Sequence, residues 1–184
     1  NDPPLPSTII ALDSEDLSEV AVLEIPAGRP YDIKMLSEES IAIGLVHANT
    51  PGSAGNGEVV IQRPGSAQWS QDVAVEKAGI VAIVHLIDGK LELQNQIRSP
   101  QPSSYASFGY SVSADDGLLA VGEDGAAHLF GVDSVTGTAR HLDSVAHAPC
   151  EPVSVSVSGE LFLSSGLVES CCGGEIEVHT ISSE

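Results

Sequence analysis

Aromatic side chains are scarce in this chain: three Phe, three Tyr and one Trp make up 4% of its 184 residues. A core of any size therefore has to be packed from Val, Ile, Leu and Ala, which in short runs suit strands. Bases are scarce too. Seven Lys and Arg stand against 26 Asp and Glu, a formal charge of −19. Such a surface repels phosphate, so nucleic acid and anionic membrane are not expected partners, and the charge reads as a solvated face that confers solubility. No apolar run approaches the roughly 20 residues of a bilayer-crossing helix, so no membrane span is expected. The start, NDPPLPST, has no leader-like pattern and no initiating Met, and reads as a processed chain or an excised fragment. Cysteines are too few for a disulfide scaffold; there are three, Cys150, Cys171 and Cys172. One bridge is expected in an oxidising compartment, from Cys150 to Cys171 or Cys172, with the remaining thiol a candidate for an intermolecular bridge.

What the chain does have is 18 Gly and 11 Pro set between short apolar runs, within a hydrophobic content of 42% that is ordinary for a folded protein. Pro3, Pro4 and Pro6 keep residues 1–7 extended as a tail. Two apolar runs, residues 8–12 and 19–25, flank the acidic turn Asp13 to Asp16 as a hairpin, which Pro26 and Pro30 close. From Tyr31 a repeat is visible. An alternating strand opens each of four units, at Tyr31, Val73, Tyr110 and Val153; a more continuously apolar strand follows, at Ile41, Ile80, Leu118 and Leu161. Each unit then reaches a turn ending in glycine, at Gly57, Gly89, Gly125 and Gly174, and a third strand starts two residues later. Candidates for a fourth, outer strand are residues 67–71 and 138–145. No segment has convincing helical spacing. The spacing of the units approaches the roughly 40 to 45 residues of propeller blades.

The best-patterned unit, residues 108–131, carries Phe108-Gly109-Tyr110-Ser111-Val112 and Ala120-Val121-Gly122. With these it resembles the FG-GAP repeat, one blade of a β-propeller. The passage from Thr8 through Asp13 to Gly28-Arg29-Pro30-Tyr31 is similar, more loosely, to the YVTN class of surface-layer propeller repeats. There an outer strand leads through a Gly-x-Pro corner into the next blade. The resemblance implies an all-β, propeller-like array of about four blades, each of three to four antiparallel strands. After the tail at 1–7, a single domain spans 8–184: a hairpin of an adjoining blade at 8–30, then blades at 31–71, 72–107, 108–151 and 152–184.

Residues that carry chemistry are weighed in turn. FG-GAP blades of the integrin type hold calcium between their first two strands. Here that position is Ser113-Ala114-Asp115-Asp116-Gly117, too short to wrap a cation with six or more oxygens. No metal is expected. The six histidines, His47, His85, His128, His141, His147 and His179, form no His-x-His or Glu-x-x-His pattern and read as strand-end residues. His47 and His85, near the ends of equivalent second strands, are expected neighbours. No Gly-x-Ser-x-Gly elbow is present, and Gly52-Ser53 and Gly65-Ser66 fall in Pro-Gly turns. Acid pairs such as Asp115-Asp116 and Glu123-Asp124 lie on exposed turns. The chain holds no phosphate loop, dinucleotide fingerprint or Asn-x-Ser/Thr acceptor.

The expected job is therefore non-enzymatic, with no catalytic residue and no cofactor: an extracellular or cell-surface module for protein–protein interaction or structural assembly. The alternative is a propeller-type hydrolase or lyase with its site at the central channel, where the inner strands offer Asp32 and Lys34 among Ser, Val and Ala. A β-sandwich adhesion domain fits the spacing less well. The hairpin at one end and three strands at the other exceed a four-stranded blade by one, so open strand edges are expected to be covered by a second copy or a protein partner.

Overall fold

The computed structural model describes residues 7–25, 28–48, 77–148, 152–167 and 174–181. They form thirteen antiparallel strands: β1 (Ser7–Leu12), β2 (Glu19–Ile25), β3 (Arg29–Met35), β4 (Ser40–Val46), β5 (Ile80–Ile87), β6 (Lys90–Ile97), β7 (Ser111–Asp115), β8 (Leu118–Glu123), β9 (Ala126–Val132), β10 (Ala139–Ala146), β11 (Ser154–Ser158), β12 (Leu161–Leu167) and β13 (Gly174–Thr180). There is no helix among the described residues. The strands sort into four sheets, β1-β2, β3-β4-β5-β6, β7-β8-β9-β10 and β11-β12-β13.

Burial explains this sorting. β4 and β5 are apolar along nearly their whole length and are buried on both faces. A continuous apolar run is the mark of a central strand, whereas alternation marks one with a wetter side. β3 and β6, mixed in sequence, take the two edges of that sheet. The same logic sets β8 and β9 between β7 and β10. The outer strand expected at 138–145 is present as β10.

Three sequence expectations need correction or fall out of reach. The described strands of the units expected at 31–71 and 72–107 share one sheet, because β4 hydrogen-bonds directly to β5, from Ser40↔His85 to Leu45↔Ile80. The three turn glycines among the described residues, Gly89, Gly125 and Gly174, are not equivalent either. Gly89 joins the third and fourth strands of its sheet, while Gly125 joins the second and third of the next, and Gly174 opens β13. Gly57, the strands expected near residues 59–61, 67–71 and 73–75, and Cys150, Cys171 and Cys172 lie outside the described residues.

The sheets stack face to face in chain order. β2 lies over β6; β3 and β4 meet β7; β7 and β8 meet β11. Each interface is filled by one apolar cluster. Ile25, Ile43, Leu45 and Ile80 pack under the β1-β2 hairpin. Val81, Ile83, Ile97, Phe108, Leu119 and Phe130 pack between the two four-stranded sheets. Leu129, Val145, Val153, Val157 and Phe162 pack beneath β11-β12-β13. Each fully buried side chain of this size contributes about 1.5–3 kcal/mol, so these three layers dominate what holds the stack together.

Candidate functional site

Two arrangements stand out, a seam between first strands and a buried acid–imidazole cluster. The seam comes first because it repeats. On β7, Ser111 Oγ accepts the Val155 N–H at 3.3 Å, Ser113 Oγ accepts the Val157 N–H at 3.1 Å, and the Asp115 carboxylate accepts the Gly159 N–H at 2.7 Å. Every one of these steps spans 44 residues. Alternation along a strand brings such residues to one side, so three polar side chains of β7 reach the open edge of β11. One sheet earlier, the Asp32 carboxylate on β3 accepts the Val112 N–H of β7 at 2.9 Å.

These contacts are equivalent. Asp32 pairs with Gly44 across its sheet, and Ser111 pairs with Gly122 across the next. Both glycines permit the close approach of the following sheet. A Cβ on Gly44 would land on the Gly109 carbonyl oxygen, and one on Gly122 on the Val153 carbonyl oxygen. The turns repeat as well. Asp13 Oδ1 accepts the N–H groups of Glu15 (2.7 Å) and Asp16 (3.3 Å), just as Asp133 Oδ1 accepts those of Val135 (2.9 Å) and Thr136 (3.0 Å). Leu17 and Gly137 close the two turns with φ of 59° and 68°. The turn of the two-stranded β1-β2 hairpin thus matches that of β9-β10.

The cluster is built by a bulge. Between His141 and Asp143 the register of β10 on β9 slips, so that Ser144 falls opposite His128 and shares its face with His141. Ser144 Oγ lies 2.8 Å from His128 Nδ1 and 2.7 Å from His141 Nε2. His128 Nε2 lies 2.9 Å from Glu123 Oε1, which also accepts the Ser99 hydroxyl at 3.1 Å. Glu123, His128, His141 and Ser99 are buried. One neutral tautomer satisfies the chain of contacts: His128 Nε2–H donates to Glu123, the Ser144 hydroxyl donates to His128 Nδ1, and His141 Nε2–H donates to Ser144. Phe130 and Phe108 pack against the rings. The cluster ties the outer strand β10 through β9 to the β8-β9 turn, and through Ser99 to the segment that follows β6.

Serine, imidazole and carboxylate in this order resemble a nucleophile–base–acid relay. The surroundings oppose that use. The Ser144 N–H donates to the Asp143 carboxylate at 2.8 Å, so that amide is already engaged and is not free to stabilise an oxyanion. A cavity of about 190 Å³ lies elsewhere, between Met35, Ser37, Asp115 and Ser134. It is smaller than the roughly 300–1,000 Å³ usual for a small-molecule site.

The remaining expected residues are scattered. His47 ends β4 beside Val46, whereas His85 pairs with Ser40 at the other end of that strand, so the two are not neighbours. Antiparallel pairing within one sheet, in place of two adjacent blades, separates them. His147 bonds Ser164 Oγ (2.9 Å), and His179 lies 3.2 Å from the Glu177 carboxylate. Asp115 serves the seam, and no group of three or more His, Cys, Asp or Glu is placed to hold a metal among the described residues. Sequence reasoning missed the Glu123–His128–Ser144–His141 cluster. Its only signal was the polar run in β10, and the bulge that assembles it leaves no mark in the residue pattern. No protein-family model matches the chain, and no curated protein matches it.

Proposed function

We propose that this chain is a non-enzymatic, extracellular or cell-surface module of propeller type that works by protein–protein assembly through the two end faces of its stack. The observation that carries the reading is that, among the described residues, both ends present exposed apolar side chains. At one end Ile33 and Met35 of β3 are 54% and 59% exposed. Beside them the outer face of the hairpin presents Ile10, Leu12, Val20 and Val22. At the other end Leu161, Ile176 and Val178 are exposed on β12 and β13. Contiguous apolar faces of this kind are interaction surfaces more often than solvent surfaces. The FG-GAP-like reading is supported by the stacking of successive first strands with one repeated offset, which is how neighbouring blades meet.

Sedimentation velocity over a range of concentrations and salt tests the proposal. Self-association is expected and is expected to strengthen with salt, because each copy carries a charge of −19 that salt screens. A monomer at every concentration and ionic strength refutes self-assembly. A hydrolase is the second reading, favoured by the Ser144–His128–Glu123 contacts alone. Labelling of Ser144 by a fluorophosphonate would establish it, and absence of labelling leaves the assembly reading.

A further inference from the structure

The seam that joins successive sheets leaves on β11 a serine row of the same kind, with Ser165 standing where the two existing junctions have Gly44 and Gly122. By register, Ser154 pairs with Ser165 on β12 as Ser111 pairs with Gly122 on β8. The next alternate residues, Ser156 and Ser158, therefore correspond to Ser113 and Asp115, which hold β11 on β7. All three serines of β11 are exposed, on the side turned away from the buried Val157 and Phe162. The complementary half is β3. It is the first strand of the first complete sheet, and nothing among the described residues occupies, on its outer side, the place that β3 holds beside β7 or β7 beside β11.

Backbone direction says which group of β3 is available. The Leu36 N–H donates to the Ser40 carbonyl at 2.8 Å, toward β4. N–H direction alternates along a strand, so those of Ile33 and Met35 face the open edge. They correspond to Val155 and Val157 of the existing seam. The Ile33 N–H is held by the Asp32 carboxylate (2.8 Å), and the Ser37 N–H turns back to the Ser40 carbonyl (3.2 Å). Met35 is the residue whose N–H matches Val157, and Ser156 is the residue that matches its acceptor, Ser113.

We infer that β11 of one copy docks along β3 of a second copy of this chain, with Ser156 Oγ accepting the Met35 N–H and Ser154 and Ser158 lying beside Ile33 and Ser37. This rests on the assembly reading and names its surfaces. The occupant is a second copy because both halves of the contact are on this chain and the same contact already occurs within it, from Ser113 to Val157. Exposure agrees. The hairpin covers that end over β6 and packs on Ile43 and Leu45 of β4, so β3 is the strand left exposed there among the described residues. The apolar residues agree too: Leu161 and Leu163 of β12 come over Ile33, Met35 and Ile41, as Leu119 and Val121 of β8 come over Ala42 and Ile83.

The test places a benzophenone amino acid at Met35 in the full chain and maps the photoadduct by mass spectrometry. The expected product has the mass of two chains, with the adduct on the peptide holding Ser154 to Ser158. Ser156→Ala is expected to weaken self-association roughly fivefold, the loss of one ordinary hydrogen bond, with an unchanged circular dichroism spectrum. Self-association that persists with the adduct elsewhere and is indifferent to Ser156→Ala overturns this inference while the assembly reading stands. A monomeric chain with no adduct overturns both. A link from residue 35 to residues 154–158 at the mass of one chain shows closure on itself and overturns the second copy.

Discussion

Replacing Gly122 by alanine tests the stacking geometry at its tightest point. The new Cβ would meet the Val153 carbonyl oxygen, a backbone atom that cannot rotate away. β11 has to retreat, and the Val153 N–H bond to the Glu123 carbonyl (3.2 Å) goes with it. Overpacking of this kind costs about 1–3 kcal/mol. The lost hydrogen bond adds about 1 kcal/mol. The lower freedom of alanine in the unfolded chain returns about 0.4–1 kcal/mol. The net cost is about 2 kcal/mol, which in a domain of this size lowers Tm by about 4–8 °C. Gly131→Ala is the control. It also lies in a strand, but its Cβ would meet only the Leu142 side chain at 3.7 Å, ordinary contact. That variant is expected at or slightly above the parent Tm. Thermal unfolding by circular dichroism reads both, and amide exchange at Val155, Val157 and Gly159 shows whether the loss is at the seam. If Gly122→Ala melts within a degree of Gly131→Ala and keeps those amides protected, the close approach of the sheets is wrong.

Glu123→Ala removes the carboxylate that holds buried His128 and Ser99 and is expected to cost about 3 kcal/mol in urea unfolding; a cost below about 1 kcal/mol would show that the cluster does not bind β10 to its sheet. The Asp133 carboxyl is held below its ordinary value by the Thr136 and Val135 N–H groups, and that of Asp16 by the Ser18 hydroxyl and N–H. A depressed carboxyl stabilises the fold above its ordinary value of 3.8 and loses that contribution as pH falls through the lower folded value. Melting curves should therefore fall below about pH 4, and Asp133→Ala should flatten the fall; an equally steep decline in the variant would refute the assignment. EDTA is expected to leave Tm within a degree, and a drop of several degrees would reveal a cation site.

The all-β class, the first hairpin and the outer strand β10 were legible because each rests on local chemistry: apolar alternation, an acidic turn, a run bounded by turn residues. The partition into sheets was less so. IAIGLV and IVAIVHLI look like the same kind of strand in two successive units, because both are central strands; nothing in either says that they are central in one sheet. Turn glycines misled for a related reason, since any tight hairpin needs a residue at positive φ whatever its rank in the sheet. A better signal was present. Asp13-Ser14 and Asp133-Ser134 open two turns with the same hydrogen bonds, and matching them would have aligned β1-β2 with β9-β10. The His128–Ser144 contact depends on one extra residue in β10, a backbone event that side-chain periodicity does not encode.

The matching turns of β1-β2 and β9-β10 have an arithmetical consequence. The thirteen strands among the described residues are one more than three full sheets of four. β1 ranks as a third strand through its turn, and β13 ranks as a third strand beside β12. Joined end to end, copies of this chain bring two claimants to a single place in the sheet at every junction. The one that yields keeps its apolar face and an unmatched row of backbone groups. If copies do assemble in this way, simple addition would carry a remainder of one strand per copy among the described strands, and competition between β1 and β13 for that place would decide whether a junction is sealed or stays open to exchange.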